Sequence, residues 1–273
     1  MHEAKEAWRK KKDFITEDLT SGQERTKIHF MKKIIFLCTL LLSFTALAEV
    51  GLNDLLDKMD RLYKSDSSKA VITMKIETPN WTRTLEMEMW SQGLEKTFVT
   101  IMAPNKDKGI STLKRDNEMW NYFPKIGRVI KVPPSMMMGS WMGSDFTNDD
   151  LVKENTLRDD FTSTWGHNTK DTYHIILIPK PESVTVWGKV ELFVLKINLL
   201  PVSQVFYDER GEKVRIMNFK DIKKLGGKLI PVTMELIPLK KSGHKTIVTY
   251  VSADFGIKLD DSLFTLSNLK KRR

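Results

Sequence analysis

The chain has 273 residues and carries 44 basic against 35 acidic side chains, which gives a formal net charge of +9 at pH 7. From residue 49 onward the basic residues are scattered and form a tight run only at residues 270–273, so this part of the sequence lacks the basic face that nucleic-acid binding requires. The charge indicates a solvated surface, with weak attraction to anionic membrane surfaces or acidic partners as the alternative.

Residues 31–48 have the three parts of a secretory signal peptide. The basic pair Lys32 and Lys33 precedes an apolar run from Ile34 to Leu42, and the small-residue site Ala46-Leu47-Ala48 follows it. This run is too short to span a bilayer comfortably. We therefore expect a cleaved signal peptide and a mature protein in the periplasm.

The signal divides the chain into three segments. Residues 1–30 are polar and lack apolar periodicity, and we interpret them as an extension upstream of a true translation start at Met31. The alternative is a signal that carries a long N-terminal extension. Residues 31–48 are the signal peptide, and residues 49–273 are expected to form one domain because no linker divides them. The one cysteine, Cys38, lies inside the signal, so we expect a mature chain with neither a disulfide nor a lipid anchor on cysteine.

The mature chain begins with a predicted amphipathic helix over residues 52–63, since its apolar residues recur at helical spacing and acids fill the other side. After Ser68 the period drops to two, which is typical of half-buried antiparallel strands. Such strands predict a large curved sheet with one apolar face, and the helix is expected to plug or cover its open side. The predicted strands cover residues 72–77, 85–89, 97–102, 110–114, 119–123, 128–132, 173–178, 190–197, 202–208, 213–220, 229–237 and 246–252.

The segment from Pro133 to Leu151 breaks the rhythm of strands. It contains four methionines, two aromatic residues and two glycines, and neither a strand nor a long helix fits it. We predict a loop with one or two short helical turns, whose apolar side chains fold onto the open mouth of the sheet. Methionine suits that position because its unbranched side chain repacks around ligands of different shapes. The alternative is that these methionines simply fill the core.

The sequence shows few residue patterns that are typical of a catalytic site. The mature chain has His167, His174 and His244, and their spacing does not fit a metal pair. We find no nucleophile elbow, phosphate loop or dinucleotide fingerprint. We therefore predict no catalytic residue, no metal, no cofactor and no enzymatic activity. An esterase or other hydrolase is the enzymatic alternative, and it lacks a nucleophile–base pair.

The acidic residues near position 150 are interpreted as structural, because they do not follow the EF-hand spacing. Asn148 or Asp149 is expected to be the N-cap of a helix over residues 150–155, where early acids favour the positive helix end. Contact with a partner is the alternative. The acidic neighbourhood comprises Asp145, Asn148, Asp149, Asp150, Glu154, Asp159 and Asp160.

The remaining feature is a binding surface. A curved sheet with methionine and branched aliphatic residues on one face offers an apolar hollow, and lipid chains are the obvious cargo for it in the periplasm. We predict that the ligand contacts Ile72, Met74, Ile76, Leu85, Met87 and Met89. We predict that the gate consists of Met136, Met137, Met138, Trp141, Met142 and Phe146.

Several stretches resemble the outer-membrane lipoprotein-sorting family of LolA-like carriers. They are the signal peptide, the amphipathic helix, the strand of Trp90, Arg115–Pro124, Met136–Leu151 and the closing Asp260–Leu266, and together they cover nearly all of the mature chain. The most specific of them, Trp141–Leu151, is similar to the branch of the family associated with RND-type exporters.

The resemblance implies a mainly β, α+β fold: an incomplete, strongly curved antiparallel β-barrel of about eleven strands, with an N-terminal helix and a helical or loop lid over its open side. It implies acyl chains of lipoproteins or other lipids as cargo. It further implies loading at an inner-membrane transporter, of the Lol-type ABC or RND-type class, and unloading at an outer-membrane acceptor. An envelope-stress sensor or a periplasmic subunit of an RND-type lipid exporter, with the same fold, is the alternative.

Two departures from the family pattern stand out. The namesake carrier has an arginine after its tryptophan-bearing strand that hydrogen-bonds to the lid, whereas the matching stretch here is Ser91-Gln92-Gly93. Lid latching in that form is therefore not expected. The insertion around Met136–Met142 is also foreign to the namesake carrier, which leaves hopanoids or phospholipids open as cargo.

Overall fold

Apolar and polar side chains alternate along most of this chain, and strands with that pattern bury one face and expose the other. The computed structural model describes residue 6, residues 9–10, and residues 50–152, 157–183 and 185–271. It divides the chain into two units, residues 1–50 and residues 51–273. In the first unit Glu6, Arg9 and Lys10 are helical. Outside the described residues lie the predicted signal peptide with Cys38, the rest of the predicted extension, Glu154, Asn155, Arg272 and Arg273.

The second unit contains short helices and long strands. The helices are α1 (Leu52–Asp60), α2 (Asn148–Val152), α3 (Leu157–Asp160) and α4 (Leu266–Leu269), with 3₁₀ turns at Pro134–Met136 and Asp261–Phe264. Among the described residues, none of the helices has the length and apolarity needed to cross a bilayer. The strands are β1 (Ser67–Glu77), β2 (Thr82–Gln92), β3 (Lys96–Ala103), β4 (Ser111–Arg115), β5 (Glu118–Phe123), β6 (Arg128–Lys131), β7 (Phe161–Trp165), β8 (Thr172–Pro179), β9 (Lys189–Leu195), β10 (Pro201–Tyr207), β11 (Lys213–Leu225), β12 (Lys228–Pro238) and β13 (Lys245–Phe255).

The strands form one antiparallel sheet in the order β6-β5-β4-β3-β2-β1-β13-β12-β11-β10-β9-β8-β7, so β6 and β7 are its two edges and the sheet is open. This confirms the predicted open, curved, mainly antiparallel β fold. The described part of the chain has thirteen strands, however, and not about eleven. The twelve predicted ranges each overlap an observed strand, and Phe161–Trp165 is the strand that was missed.

The inner face of the sheet carries the main hydrophobic core, to which β1 contributes Ile72, Met74 and Ile76 and β2 contributes Leu85 and Met87. These residues alternate along their strands with exposed or half-buried polar residues. A second core lies on the outer face of β2–β5, where the chain's last turns cover the aromatic residues of the sheet. Its members are Trp90, Phe98, Leu113, Trp120, Tyr122, Phe264 and Leu269.

Helix α1 packs against the inner face of the sheet. It ends at Asp60, three residues before the predicted end, and continues as a turn. Within that turn the ring of Tyr63 stacks on Tyr250, with 4.8 Å between ring centroids, and its hydroxyl donates to the carbonyl oxygen of Pro231 at 2.8 Å. The ammonium of Lys228 donates to the carbonyl oxygen of Lys64 at 2.6 Å, which places a cation at the negative end of the helix.

Candidate apolar binding cavity

A cavity of about 210 Å³ lies on the inner face of the sheet. Ile72 and Met74 of β1 and Met87 and Met89 of β2 line one side of it. Their side chains meet because alternate residues of a strand point to the same face, and β1 and β2 pair with Ile72 opposite Met87. The wall is therefore a direct product of the two-residue period in the sequence.

Methionine, valine and tyrosine residues from other elements extend the apolar wall, and polar residues such as Lys114, Asp160 and Gln204 also line the cavity. Strands β11, β12 and β13 contribute Met217, Met234 and Val248, while Met59 and Tyr63 approach from α1 and the turn after it. Methionine side chains are flexible and polarizable, so a wall rich in them can adapt to ligands of different shapes. The cavity has the chemistry of an apolar, adaptable binding site.

The structure brings together four of the six residues predicted to contact a ligand. Ile72, Met74, Met87 and Met89 line the cavity. Ile76 and Leu85 are fully buried in the core of the same face but are not part of the wall. Both lie closer to the β1–β2 turn, where they fill the core.

The segment of residues 133–152 follows the edge strand β6 and ends with helix α2, and we name it the strap. Helix α3 and the other edge strand, β7, come later in the chain. The strap folds on itself: the backbone N–H of Trp141 donates to the carbonyl oxygen of Phe146 at 2.8 Å, and that of Asn148 donates to the carbonyl oxygen of Gly139 at 3.0 Å. The turn between these pairs has positive φ at Met142 (53°) and Gly143 (79°), a conformation that favours glycine. The strap thus has a defined structure of its own.

The first half of the strap is anchored to β4 and β2. The indole N–H of Trp141 donates to the hydroxyl of Thr112 at 3.2 Å. The guanidinium of Arg83 donates to the carbonyl oxygen of Met142 at 3.4 Å and forms an ion pair with Asp107 at 2.7 Å. These contacts hold the tryptophan ring over the cavity, which it lines.

The second half is anchored to β13 and β11. The hydroxyl of Thr246 donates to the carboxylate of Asp145 at 2.8 Å and accepts from its backbone N–H at 3.0 Å. The guanidinium of Arg215 donates to both carboxylate oxygens of Asp150, once at 2.7 Å. Each anchoring residue of the sheet is the second or third residue of its strand, and each shares the inner face with cavity residues. At the end where the strap crosses it, the inner face therefore carries polar anchoring residues beside its apolar core.

The Arg215–Asp150 pair is the strongest of these anchors. The Arg215 guanidinium carbon lies 4.3 Å from the ring centroids of both Trp187 and Phe206, so two aromatic rings flank it. Burial alone would raise the pKa of Asp150, but the charge and hydrogen bonds of Arg215, helped by Thr147, hold that pKa below its usual value. Sequence reasoning missed this ion pair, which ties the strap to β11.

Some of the predicted gate residues face the cavity or the core, and two of them are exposed to solvent. Trp141 and Phe146 line the cavity, and Met137 and Met142 pack against the core. Met136 and Met138 differ from the expectation that the segment folds onto the mouth, because they are 60% and 44% exposed. Met136 belongs to the 3₁₀ turn Pro134–Met136, in which no residue is buried.

The N-cap prediction for this segment is wrong. Helix α2 begins at Asn148, and Thr147 precedes it: its hydroxyl accepts from the backbone N–H of Asp150 at 3.1 Å, and the Asp150 carboxylate accepts from the backbone N–H of Thr147 at 2.7 Å. This reciprocal arrangement is a capping box. The amide of Asn148 instead donates to the carbonyl oxygens of Met136 (3.1 Å) and Gly139 (3.2 Å), which ties the first turn of the strap to α2.

Asp60 connects α1 to the helix that follows the strap. Its buried carboxylate accepts from the backbone N–H groups of Leu157 (3.1 Å) and Arg158 (3.3 Å) at the start of α3. Burial raises the pKa of Asp60 to about 6, although the two hydrogen bonds oppose that rise. The helical pattern in the sequence assigns Asp60 only to the polar side of α1. It does not indicate the contact with α3, because that contact joins segments that are distant in the sequence.

His174 and His244 make local contacts. The ring of His174 stacks on Phe193 at 4.5 Å, and its Nδ1 accepts from the backbone N–H of His167 at 3.2 Å. His244 lies 3.7 Å from Asp145 at the strap anchor. Within the described ranges there is no group of three or more His, Cys, Asp or Glu residues that could hold a metal ion.

Comparisons with known proteins agree with this architecture. A protein-family model described as "Uncharacterized protein" matches residues 93–271. No curated protein matches the chain. Among solved structures, the chain is similar to a DUF1329 family protein from Desulfovibrio piger, with 22% identity and a TM-score of 0.72 over 80% of this chain and 97% of that one.

Two further solved structures are similar. A LolA superfamily protein from Nitrosomonas europaea has 21% identity and a TM-score of 0.68, over 81% of this chain and all (100%) of that one. An outer membrane lipoprotein-sorting protein domain from Vibrio parahaemolyticus has 19% identity and a TM-score of 0.67, over 79% of this chain and 97% of that one. These likenesses confirm the predicted LolA-like fold.

Proposed function

We propose that this chain, which belongs to the family whose model matches residues 93–271, is a periplasmic carrier without enzymatic activity. It binds acyl chains of lipoproteins or other lipids in its cavity and moves them between the inner and outer membranes. The observation that supports this most is an apolar cavity on the inner face of an open sheet, covered by a strap that is anchored at its rim. An acyl chain suits such a wall, since each methylene withdrawn from water contributes about 0.8 kcal/mol.

The size of the cavity supports a carrier that opens on loading. At about 210 Å³ it is smaller than the pockets of about 300–1,000 Å³ that hold small molecules. An acyl chain therefore needs the strap to move or the methionines of the wall to repack. Both are possible here, because the strap is held at its rim by separate polar contacts and because methionine side chains change rotamer readily.

The expected partners follow from the fold. The similarity to an outer membrane lipoprotein-sorting protein domain supports transport across the periplasm. Under this proposal an inner-membrane transporter, of the Lol-type ABC or RND-type exporter class, supplies the cargo, and an outer-membrane acceptor receives it. The predicted signal peptide at residues 31–48 would direct export, and contact with either membrane would be transient.

The direct test is lipid uptake by protein exported to a bacterial periplasm from the full-length gene. Native mass spectrometry should detect copurified lipid, and the delipidated protein should take up a fluorescent fatty acid. The variant Val248→Phe places a larger side chain in the cavity wall and should reduce uptake at least about tenfold, because it occupies the volume that the chain needs.

The matched control is Val251→Phe on the same strand. Val251 is exposed on the other face of β13, so this substitution adds the same volume outside the cavity and should leave uptake unchanged. The carrier proposal fails if the protein is free of lipid and takes up none, or if the two variants bind the fatty acid equally well.

A further inference from the structure

The end of the sheet at which the strap lies also exposes large apolar side chains on its turns. Turns of an up-and-down antiparallel sheet alternate between its two ends, so the β1–β2, β3–β4 and β5–β6 turns share one end. The β12–β13 turn joins them, because Glu77 at the end of β1 pairs with Lys245 at the start of β13. We name these four turns, residues 78–81, 104–110, 124–127 and 239–244, the strap-end turns.

The strap-end turns touch one another in a row. A Cβ on Gly243 would lie 2.9 Å from the ring of Pro79, and Trp81 lines a shallow groove together with Pro104 and Lys106. A Cβ on Gly109 would lie 3.5 Å from the ring of Pro124, which joins the β3–β4 turn to the β5–β6 turn. The turns therefore form one continuous surface and not separate projections.

That surface combines apolar tips with positive charge. Trp81, Ile126 and Leu239 are 46%, 60% and 44% exposed. The sequence of the four turns contains five lysines and one aspartate, Asp107, which is paired with Arg83. Lys240 is engaged by Asp208 and Glu212 of the acidic turn that bounds the surface. The other lysines, Lys106, Lys108, Lys125 and Lys241, are exposed.

We propose that the strap-end turns dock this protein on the surface of a bilayer that contains anionic phospholipid, with the strap facing the membrane. Tryptophan and branched aliphatic side chains partition into the interfacial region of a bilayer, and lysines beside them are attracted to anionic headgroups. The exposed lysines favour an anionic partner over a neutral or basic one, and the exposed tryptophan and aliphatic side chains beside them favour a bilayer surface. The inference rests on the proposed function, because a carrier gains by presenting its mouth to the membrane that supplies or receives the lipid.

The opposite end of the sheet provides a matched control. It carries Ile197 on the β9–β10 turn and Leu229 beside the β11–β12 turn, which are 91% and 49% exposed. Lys196, Lys223 and Lys224 lie near them in sequence. These residues resemble the strap-end turns in hydrophobicity and charge, so non-specific adsorption of the protein to vesicles would involve both ends equally.

The experiment measures cosedimentation of the exported protein with vesicles of equal parts phosphatidylcholine and phosphatidylglycerol, and with vesicles of phosphatidylcholine alone. We expect binding to the anionic vesicles that weakens with salt. The triple variant Trp81→Ser, Ile126→Ser, Leu239→Ser should lose at least about tenfold in partitioning, since three apolar anchors leave the interface. Replacing Lys106, Lys108, Lys125 and Lys241 by glutamine should remove the preference for phosphatidylglycerol, while Ile197→Ser with Leu229→Ser should change neither property.

Fatty-acid uptake in solution separates this proposal from the carrier proposal. All of these variants alter turns outside the cavity wall, so each should take up the fluorescent fatty acid as the parent protein does. Docking is overturned if the parent protein shows no preference for anionic vesicles, or if the opposite-end variant loses as much binding as the strap-end variant. Normal docking without fatty-acid uptake would instead refute the carrier and leave the docking surface standing.

Discussion

The ion pair between Arg215 and Asp150 should control how often the strap opens. The two side chains are 5% and 14% exposed, so solvent screens them little. Two unit charges about 4 Å apart interact by about 4 kcal/mol at an effective dielectric of about 20. Removing one partner of such a pair costs about 3–5 kcal/mol, because the other charge stays buried without compensation.

We expect Arg215→Met to raise the open population of the strap about 100- to 4,000-fold, since about 1.4 kcal/mol corresponds to a factor of ten. Methionine keeps an apolar side chain between Trp187 and Phe206, so the substitution mainly removes charge. The measurement is the hydrogen-exchange rate of the backbone amides of Trp141, Asn148 and Asp149, which are hydrogen-bonded within the strap and should exchange faster when it opens more often.

The control is a double-mutant cycle with Asp150→Asn. The double variant leaves no buried charge in the pair, so it should be less destabilised than the sum of the single variants by at least about 1 kcal/mol. Amides of β1 and β2 should keep their protection if only the strap opens. The reasoning is refuted if the coupling energy is below about 0.5 kcal/mol, the usual limit of additivity for independent sites.

Three further substitutions test other parts of this architecture. The pKa of Asp60 is about 6 in the folded state against 3.8 ordinarily, so this carboxyl group binds more protons in the native state between these values, and its contribution to the free energy of unfolding should rise as the pH falls from 7 to about 4. Asp60→Asn should flatten that rise in urea titrations at successive pH values, and an unchanged slope would contradict the assignment. Thr147→Ala removes the cap of α2 and should cost about 1 kcal/mol, measured as faster exchange of the Asp150 amide, with Thr147→Ser as the conservative control. Trp141→Phe removes the hydrogen bond to Thr112 and should cost about 1 kcal/mol in urea unfolding, whereas equal stability would show that the indole N–H adds nothing.

Local alternation was enough to predict most of the sheet, and it failed where local signals were weak. In β7 the central inward position is Ser163, so the five-residue strand has only Phe161 and Trp165 as apolar signals. The N-cap was misplaced by one or two residues because Thr147, Asn148 and Asp149 are all acceptable caps by composition. Only the three-dimensional geometry distinguishes them.

The strap anchors show a different limit of sequence reasoning. Arg215 and Asp150 are 65 residues apart, and a charged residue in an alternating strand is normally assigned to the solvent face. Arg215 nevertheless has the same parity as Met217 and Phe219, which line the cavity. A cation at an inward position was therefore visible in the sequence, but its partner was not, since no local pattern specifies which distant strand the strap will cross.

The cost of opening the strap sets a minimum cargo length under the carrier proposal. If opening loses about 4 kcal/mol from the Arg215–Asp150 pair, about five methylene groups must leave water to offset it, at about 0.8 kcal/mol each. Uptake by the parent protein should therefore be negligible for shorter fatty acids and rise steeply with each added methylene, by about fourfold per group. In Arg215→Met the same series should begin at shorter chains, because less free energy is needed to open the strap. Isothermal titration calorimetry across chain lengths measures both onsets, and an identical onset in the two proteins would mean that the strap does not limit entry to the cavity.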